Sequence, residues 1–248
     1  MPDYGLVSAE DLGATTPQLA PLYPPLPWAM TGTRIIKLAY EVGLDFVRHT
    51  LPAGLARPVP PYGTLLIYDV PESPFGPFRM AAQTLACRYR NYARVYVLQA
   101  VVDNPVAMAA LREVWSYPAA PGTVEITDDP GRVGGLVSAP SGQPLATFGI
   151  TNIEGAEAER IVIDSELTAR IPARFASVDD GEPVRLIQIN RAYALQDPTR
   201  GRFTVGFSSA GDAYPWGVVP VTNIIIGIDT RADIEFAPTD HVLDYLPS

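Results

Sequence analysis

Proline punctuates this chain so often that long helices have no room, since 26 of its 248 residues are proline and each one inside a helix removes an amide donor and clashes with the preceding turn. The stretches between the breaks favour strands. Residues 63–70, 80–90 and 93–102 are rich in β-branched and aromatic side chains, and further strands are expected near 122–127, 132–138, 144–154, 184–195, 202–208 and 217–236, separated by Gly, Pro and Asp turns. From Thr33 to Glu41 the order sets Arg34, Ile36, Leu38 and Tyr40 on one side and Ile35, Lys37 and Ala39 on the other. This is a strand with Arg34 on the inward face and Lys37 pointing away from it. Helices are short: Leu44, Val47 and Leu51 have helical spacing before Pro52, and Asn104-Pro105 is an N-cap followed by a first-turn proline for a helix that Pro118 ends. The expected class is β-dominated α+β, mainly antiparallel, with two or three helices.

Residues 1–28 carry six prolines among small and polar residues and read as an extended arm. No linker or repeat divides the remainder, so 29–248 is expected to be a single domain. Apolar residues make up 47% and charged residues 18%, enough to build a large core. The net charge of −9 leaves no basic footprint for nucleic acid or an anionic membrane. No apolar run approaches a spanning length, and the first basic residue is Arg34, so no signal peptide is evident. The lone Cys87 lies in an apolar stretch and reads as a buried thiol in a cytoplasmic protein.

Several chemistries lack their residues. The glycines at 131, 134 and 135 do not have nucleotide-loop spacing, and no Gly-x-Ser-x-Gly elbow is present. His49 and His241 are the only histidines, too few for a convincing metal site; His49 reads as a surface residue and His241 as a partner of Asp240. No cofactor or metal is expected. Arginine supplies 17 of the 18 basic residues and Lys37 is the single lysine, so amine chemistry has one possible home.

The segment Leu111-Arg-Glu-Val-Trp-Ser-Tyr-Pro-Ala-Ala-Pro-Gly122 resembles the acetoacetate decarboxylase superfamily, whose corresponding stretch reads Gly-Arg-Glu, an aromatic or apolar residue, then Tyr/Phe-Pro-Lys-Lys. The strand Thr33 to Tyr40, Leu51-Pro-Ala-Gly-Leu55, Ala232-Asp-Ile-Glu-Phe-Ala-Pro238 and Asp244-Tyr-Leu246 are similar to family features in the same order, so the likeness runs over residues 30 to 246. It implies a closed, cone-like antiparallel barrel with a few flanking helices, in a homo-oligomer. It also implies a mechanism in which the first lysine after Tyr-Pro forms an imine with a β-keto acid and the second lowers its pKa, this decarboxylase being itself a well-known example of an activated amine. Here both positions are alanine, Ala119 and Ala120, and the family's glutamate after a Gly-Pro-aromatic turn is matched by Met80.

What the resemblance leaves is Arg34, at the carboxylate-binding arginine, with Arg112, Glu113 and Tyr117 in the retained motif. Arg34, Tyr117 and Glu113 are expected to border one pocket as catalytic groups, or Arg112 and Glu113 to form an ion pair that anchors their helix. Arg112, Trp115, Ala119, Ala120, Met80, Phe78, Trp28 and Tyr92 are the expected substrate-binding residues. Loss of the amines makes such a pocket apolar and suits a lipophilic carbonyl substrate. The implied activity is a cyclase, dehydratase or isomerase acting on a β-dicarbonyl or polyketide-like molecule in bacterial specialised metabolism. A ligand-binding protein without catalysis and a lysine-independent decarboxylase or other lyase are the alternatives.

Overall fold

The computed structural model describes residues 21–170, 184–238 and 242–244. His241 and its expected pairing with Asp240 lie outside them, as does most of the arm. Fourteen strands are present among the described residues: β1 (Trp28–Val42), β2 (Leu55–Ala56), β3 (Tyr62–Val70), β4 (Phe78–Tyr89), β5 (Tyr92–Val102), β6 (Ala119–Pro121), β7 (Thr123–Asp129), β8 (Arg132–Ser138), β9 (Pro144–Gly155), β10 (Glu166–Arg170), β11 (Arg185–Ile189), β12 (Arg191–Phe207), β13 (Val221–Phe236) and β14 (Val242–Asp244). Two α-helices join them, α1 (Leu44–Thr50) and α2 (Pro105–Trp115). They make one sheet in the order β14-β11-β10-β5-β4-β3-β1-β13-β12-β9-β8-β7, with β2 paired to β4 and β6 to β5. The β-dominated expectation holds.

The hydrogen-bonded path is open, ending at β14 and β7, so strand pairing among the described residues does not close it into a barrel. The chain itself links distant parts of this path: β11 passes into β12 through Asn190 alone, and β11 pairs with β10 while β12 pairs with β13. The sequence expectation of a strand over 184–195 and a second over 202–208 is therefore corrected. The break falls at Asn190, and residues 191–207 run on as one long strand, with a register shift near Asp197 that absorbs the bend.

Both faces of the central strands are covered, which corrects the view of the first strand as half inward. Ile35, Leu66, Tyr68, Met80 and Ala119 belong to one core, packed beneath α2. Ile36, Leu38, Tyr40, Leu65 and Ala81 belong to a second, packed against β8 and β9. Two-sided burial explains the nearly continuous apolar runs in these segments. The described part of the arm adds to the first core: Tyr23 is buried there, and Trp28 is fully buried as the first residue of β1. The Asn104 side chain caps α2 by accepting from the Val106 and Ala107 amides, as its sequence signature requires.

Candidate functional site

Helix α2 ends at Ser116, whose left-handed backbone (φ 51°, ψ 35°) swings the chain out of the helix and leads it through Tyr117 and Pro118 into β6. There Ala119 lies opposite Ala100 and Ala120 opposite Val101 in parallel register. Strand alternation then separates the two alanines. Tyr117 and Ala119 are buried in the core that holds Met80 and Tyr68, and Ala119 and Ala120 both border a cleft.

On the Ala119 side, Glu166 of β10 and Arg191 of β12 form a buried ion pair, with Arg191 Nη2 2.5 Å from Glu166 Oε2 and the two side chains 2% and 3% exposed. Arg191 Nη1 also donates to Glu166 Oε1 (3.1 Å) and to the hydroxyls of Tyr68 (2.9 Å) and Tyr193 (3.4 Å). Its guanidinium carbon sits 4.6 Å from the Phe236 ring centroid and 5.3 Å from that of Tyr68, a cation–π arrangement. Tyr117 completes the group; it feels the charges of both Glu166 and Arg191, but its hydroxyl makes no hydrogen bond of ordinary geometry, and neither does Arg191 Nε. Burial, reinforced by Glu166, pushes the Tyr117 pKa well above the tyrosine range. Burial opposes the charge on Arg191, yet Glu166 and the surrounding tyrosines keep it firmly cationic. This buried cluster thus holds a permanent cation, neutral hydroxyl donors and a carboxylate away from water.

The cleft that both alanines border has a volume of about 520 Å³ and is lined by Phe46, Thr50, Tyr96, Leu98, Gln99, Arg112, Pro118, Ala119, Ala120, Ala213, Pro215 and Val218. Arg112 reaches back to donate to the Ala119 carbonyl (2.5 Å). Of the expected substrate-binding residues, this cleft unites Arg112, Ala119 and Ala120.

The remaining expectations need correction. Arg34 does not join that buried cluster: it is clamped by Asp229 through Nε (2.9 Å) and Nη2 (2.7 Å) and by Asp128 through Nη1 (2.8 Å) and Nη2 (2.7 Å). Its charge is matched inside the protein, so it has no need of an anionic ligand. Glu113 is exposed on α2 and accepts from Tyr23 (2.7 Å), whose pKa burial and this carboxylate push up to about 12. Arg112 and Glu113, expected as a possible ion pair, point to different partners. Trp28, Trp115, Phe78 and Met80 are buried in the first core; Trp28 meets Trp115 edge-on at 5.0 Å between ring centroids. Their packing fills the space expected of pocket walls. Tyr92 is 64% exposed at the start of β5 and stacks with Arg94 instead.

Lys37 does point away from Arg34, but it is buried rather than free. It donates to the Val162 carbonyl (2.7 Å), with Asp164 at 3.7 Å, and burial lowers its pKa while Asp164 resists. Cys87 is buried and its pKa rises to about 12 through burial. Among the described residues, no group of three or more His, Cys, Asp or Glu is placed to hold a metal ion, and no helix is long and apolar enough to cross a membrane.

The acetoacetate decarboxylase (ADC) family profile matches residues 14–246. The chain belongs to the acetoacetate decarboxylase family. It is 24% identical over 238 residues to the acetoacetate decarboxylase of Ralstonia nicotianae, covering 93% of this chain and 94% of that protein. The acetoacetate decarboxylase of Legionella pneumophila superposes with a TM-score of 0.83 at 18% identity, covering 100% of both chains. The enduracididine biosynthesis enzyme MppR bound to pyruvate superposes with a TM-score of 0.78 at 15% identity, covering 94% of this chain and 98% of that one. Membership in this decarboxylase family makes the alanines at 119 and 120 the central chemical question. The residues that form the buried polar cluster in this core were missed by sequence reasoning: Tyr68, Glu166, Arg191 and Tyr193. The available signal was a charge at the head of each of two strand-like segments, Glu166-Leu-Thr-Ala and Arg191-Ala-Tyr-Ala, where a buried charge calls for a partner.

Proposed function

We propose that this protein is a cofactor-independent enzyme that enolises a lipophilic β-dicarbonyl or polyketide-like substrate, as a cyclase, dehydratase or isomerase, without an imine at Ala119. The observation that carries this reading is the pair of buried donors that make no hydrogen bond of ordinary geometry, Tyr117 Oη and Arg191 Nε, beside Glu166. A buried donor left unsatisfied costs about 1–3 kcal/mol, and a substrate carbonyl oxygen satisfies both. Tyr117 stays protonated and Arg191 stays cationic, so negative charge developing on that oxygen meets two fixed donors. Glu166 takes the α-proton. The enolate then accepts that proton at another carbon, attacks a second carbonyl of the same molecule, or expels a β-hydroxyl that leaves as water with the proton returned by Glu166. The likeness to MppR, whose structures include complexes with pyruvate and with the condensation product of pyruvate and imidazole 4-carboxaldehyde, supports carbonyl chemistry on this fold in a biosynthetic setting. Lys37, held by Val162 and Asp164, supports no replacement imine. A buried, unpaired Cys87 suits a cytoplasmic location.

The test follows α-proton exchange of benzylacetone in D2O by NMR. Exchange above the buffer rate is expected, and Tyr117→Phe lowers it about 10²-fold or more, as loss of an oxyanion donor typically does. Borohydride added with acetoacetate leaves Lys37 unmodified by peptide mass. An adduct on Lys37, or full activity in Tyr117→Phe, overturns the mechanism. Binding of the ketone with no exchange favours the non-catalytic ligand-binding alternative.

A further inference from the structure

One end of the molecule reverses the sign of the rest. The chain carries 27 acidic against 18 basic residues, yet residues 46–68 and 73–102 hold six arginines and no carboxylate. Arg79 pairs with Asp69. Strand pairing gathers the other five, Arg48, Arg57, Arg88, Arg90 and Arg94. β2 joins the end of β4 through Leu55↔Tyr89 and Ala56↔Arg88, and β4 turns into β5 at Tyr89↔Tyr92. Arg48 and Arg57 border one surface hollow together with Leu55. Among the described residues, the one carboxylate in ion-pair reach of these five is Asp45, 3.9 Å from Arg48, with both side chains exposed.

The tip of this hairpin holds its guanidinium groups in place. Arg90 and Asn91 make a two-residue turn, and Arg90 takes a left-handed backbone (φ 53°) that glycine or asparagine ordinarily fills. The guanidinium carbon of Arg90 lies 5.5 Å from the Tyr89 ring centroid, and that of Arg94 lies 5.3 Å from the Tyr92 centroid. Arg94 also donates through Nε to Gln188 (2.7 Å) and through Nη1 to the Ala93 carbonyl (2.7 Å). Arg90 is exposed, and no acceptor among the described residues takes Nη2 of Arg94. N–H groups fixed in this way meet an outside carboxylate at little cost in side-chain entropy. Tyr92 is 64% exposed, and Val59, two residues past Arg57, is 83% exposed. Arginine mixed with open aromatic and apolar side chains is the composition of a protein-binding surface.

We infer that this surface docks an acidic helical carrier protein that presents the substrate as a thioester-linked acyl group, an inference that rests on the polyketide-like substrate proposed above. The patch is local on a chain of net charge −9. An extended polyanion such as nucleic acid or an anionic bilayer therefore meets repulsion from the remainder, while a compact acidic partner meets chiefly the arginines. Position adds to charge. The helix α1 that carries Arg48 also places Phe46 and Thr50 on the cleft beside Ala119 and Ala120, and Tyr96 on that cleft lies two residues along β5 from Arg94. A carrier held by the arginines stands beside that cleft.

Fluorescence anisotropy of a labelled holo acyl carrier protein from a bacterial fatty-acid synthase, titrated with the full chain, tests the surface. Binding is expected in about 50 mM salt and weakens about tenfold or more in about 300 mM. Arg88→Glu/Arg90→Glu weakens it about tenfold or more at the lower salt. Arg202→Glu, at an exposed position on β12 distant in the strand order, leaves it unchanged. Arg90→Gly separates docking from folding: glycine suits the left-handed turn, so the denaturation midpoint holds or rises while affinity falls. No binding, full affinity in the double variant, equal loss in Arg202→Glu, or equal affinity for double-stranded DNA or phosphatidylglycerol vesicles overturns the inference. Exchange of free benzylacetone needs no carrier, and the double variant is expected to exchange it as the parent does. Carrier binding lost with that exchange intact therefore removes the docking surface alone, and carrier binding without exchange removes the enolising activity alone.

Discussion

Two basic residues three positions apart on β1 have opposite fates, and alternation is the reason. Arg34 finds Asp128 and Asp229 and becomes a clamp between strands, whereas Lys37 is buried against Val162 and Asp164. Its pKa is lowered by burial from the ordinary 10.5, with Asp164 pulling the other way. Between that lowered value and the ordinary one, folded Lys37 holds fewer protons than unfolded Lys37, so its contribution to stability rises with pH. The nearby Tyr62 and Cys87 both have raised pKa values, each chiefly through burial, and oppose this trend in parent and variant alike. Urea denaturation at about pH 7 and about pH 9.5 should therefore show parent stability improving relative to Lys37→Met as pH rises. A difference that stays flat or shrinks would remove the claim of a perturbed lysine.

Among the elements, β13 shows an unfinished edge. It pairs with β1 along its whole length, from Val42↔Val221 to Trp28↔Phe236. Its pairing with β12 begins only at Gly201↔Gly227; beyond Gly201, β12 keeps only β9 as a partner. Among the described residues, the stretch 221–226 is left with one bare side, and Val221, Ile224 and Ile225 on it are 36%, 42% and 48% exposed. An apolar strand edge of this kind is a template for pairing with another chain. A homo-oligomer is the expected state, with this edge in its interface. Light scattering should report a multiple of 26.8 kDa, and Ile225→Lys should shift it toward the monomer. A monomeric parent protein contradicts the expectation.

At the scale of the whole molecule, the Arg191–Glu166 pair bridges β12 to β10, strands that lie far apart along the sheet order. Removing one partner, as in Glu166→Leu, leaves a buried charge alone and is expected to cost about 3–5 kcal/mol. The double variant Arg191→Met/Glu166→Leu removes both charges together and should recover most of that stability, since apolar replacement of a buried pair is often neutral or better. Denaturation midpoints read the stability, and ketone α-proton exchange reads the function. Recovered stability with activity lost fits a pair kept for chemistry, and recovery of both makes the pair structural.

Much of this architecture was legible in local order. Proline spacing and β-branched runs located the main strands, Asn104-Pro105 marked the start of α2, and the Arg-Glu…Tyr-Pro motif with its alanines pointed to the family and to a missing amine. These are short-range signals, set by backbone sterics, capping and side-chain identity. The site was legible only in part. Tyr117, Ala119 and Met80, expected around a pocket, share one packed core, while the partners of Arg34 lie 94 and 195 residues away, and Glu166 and Arg191 meet from different strands. Which buried charge neutralises which depends on strand order and register, because a one-residue step in a strand reverses the face a side chain occupies. That choice is made by tertiary packing, and it moved the candidate cation from Arg34 to Arg191.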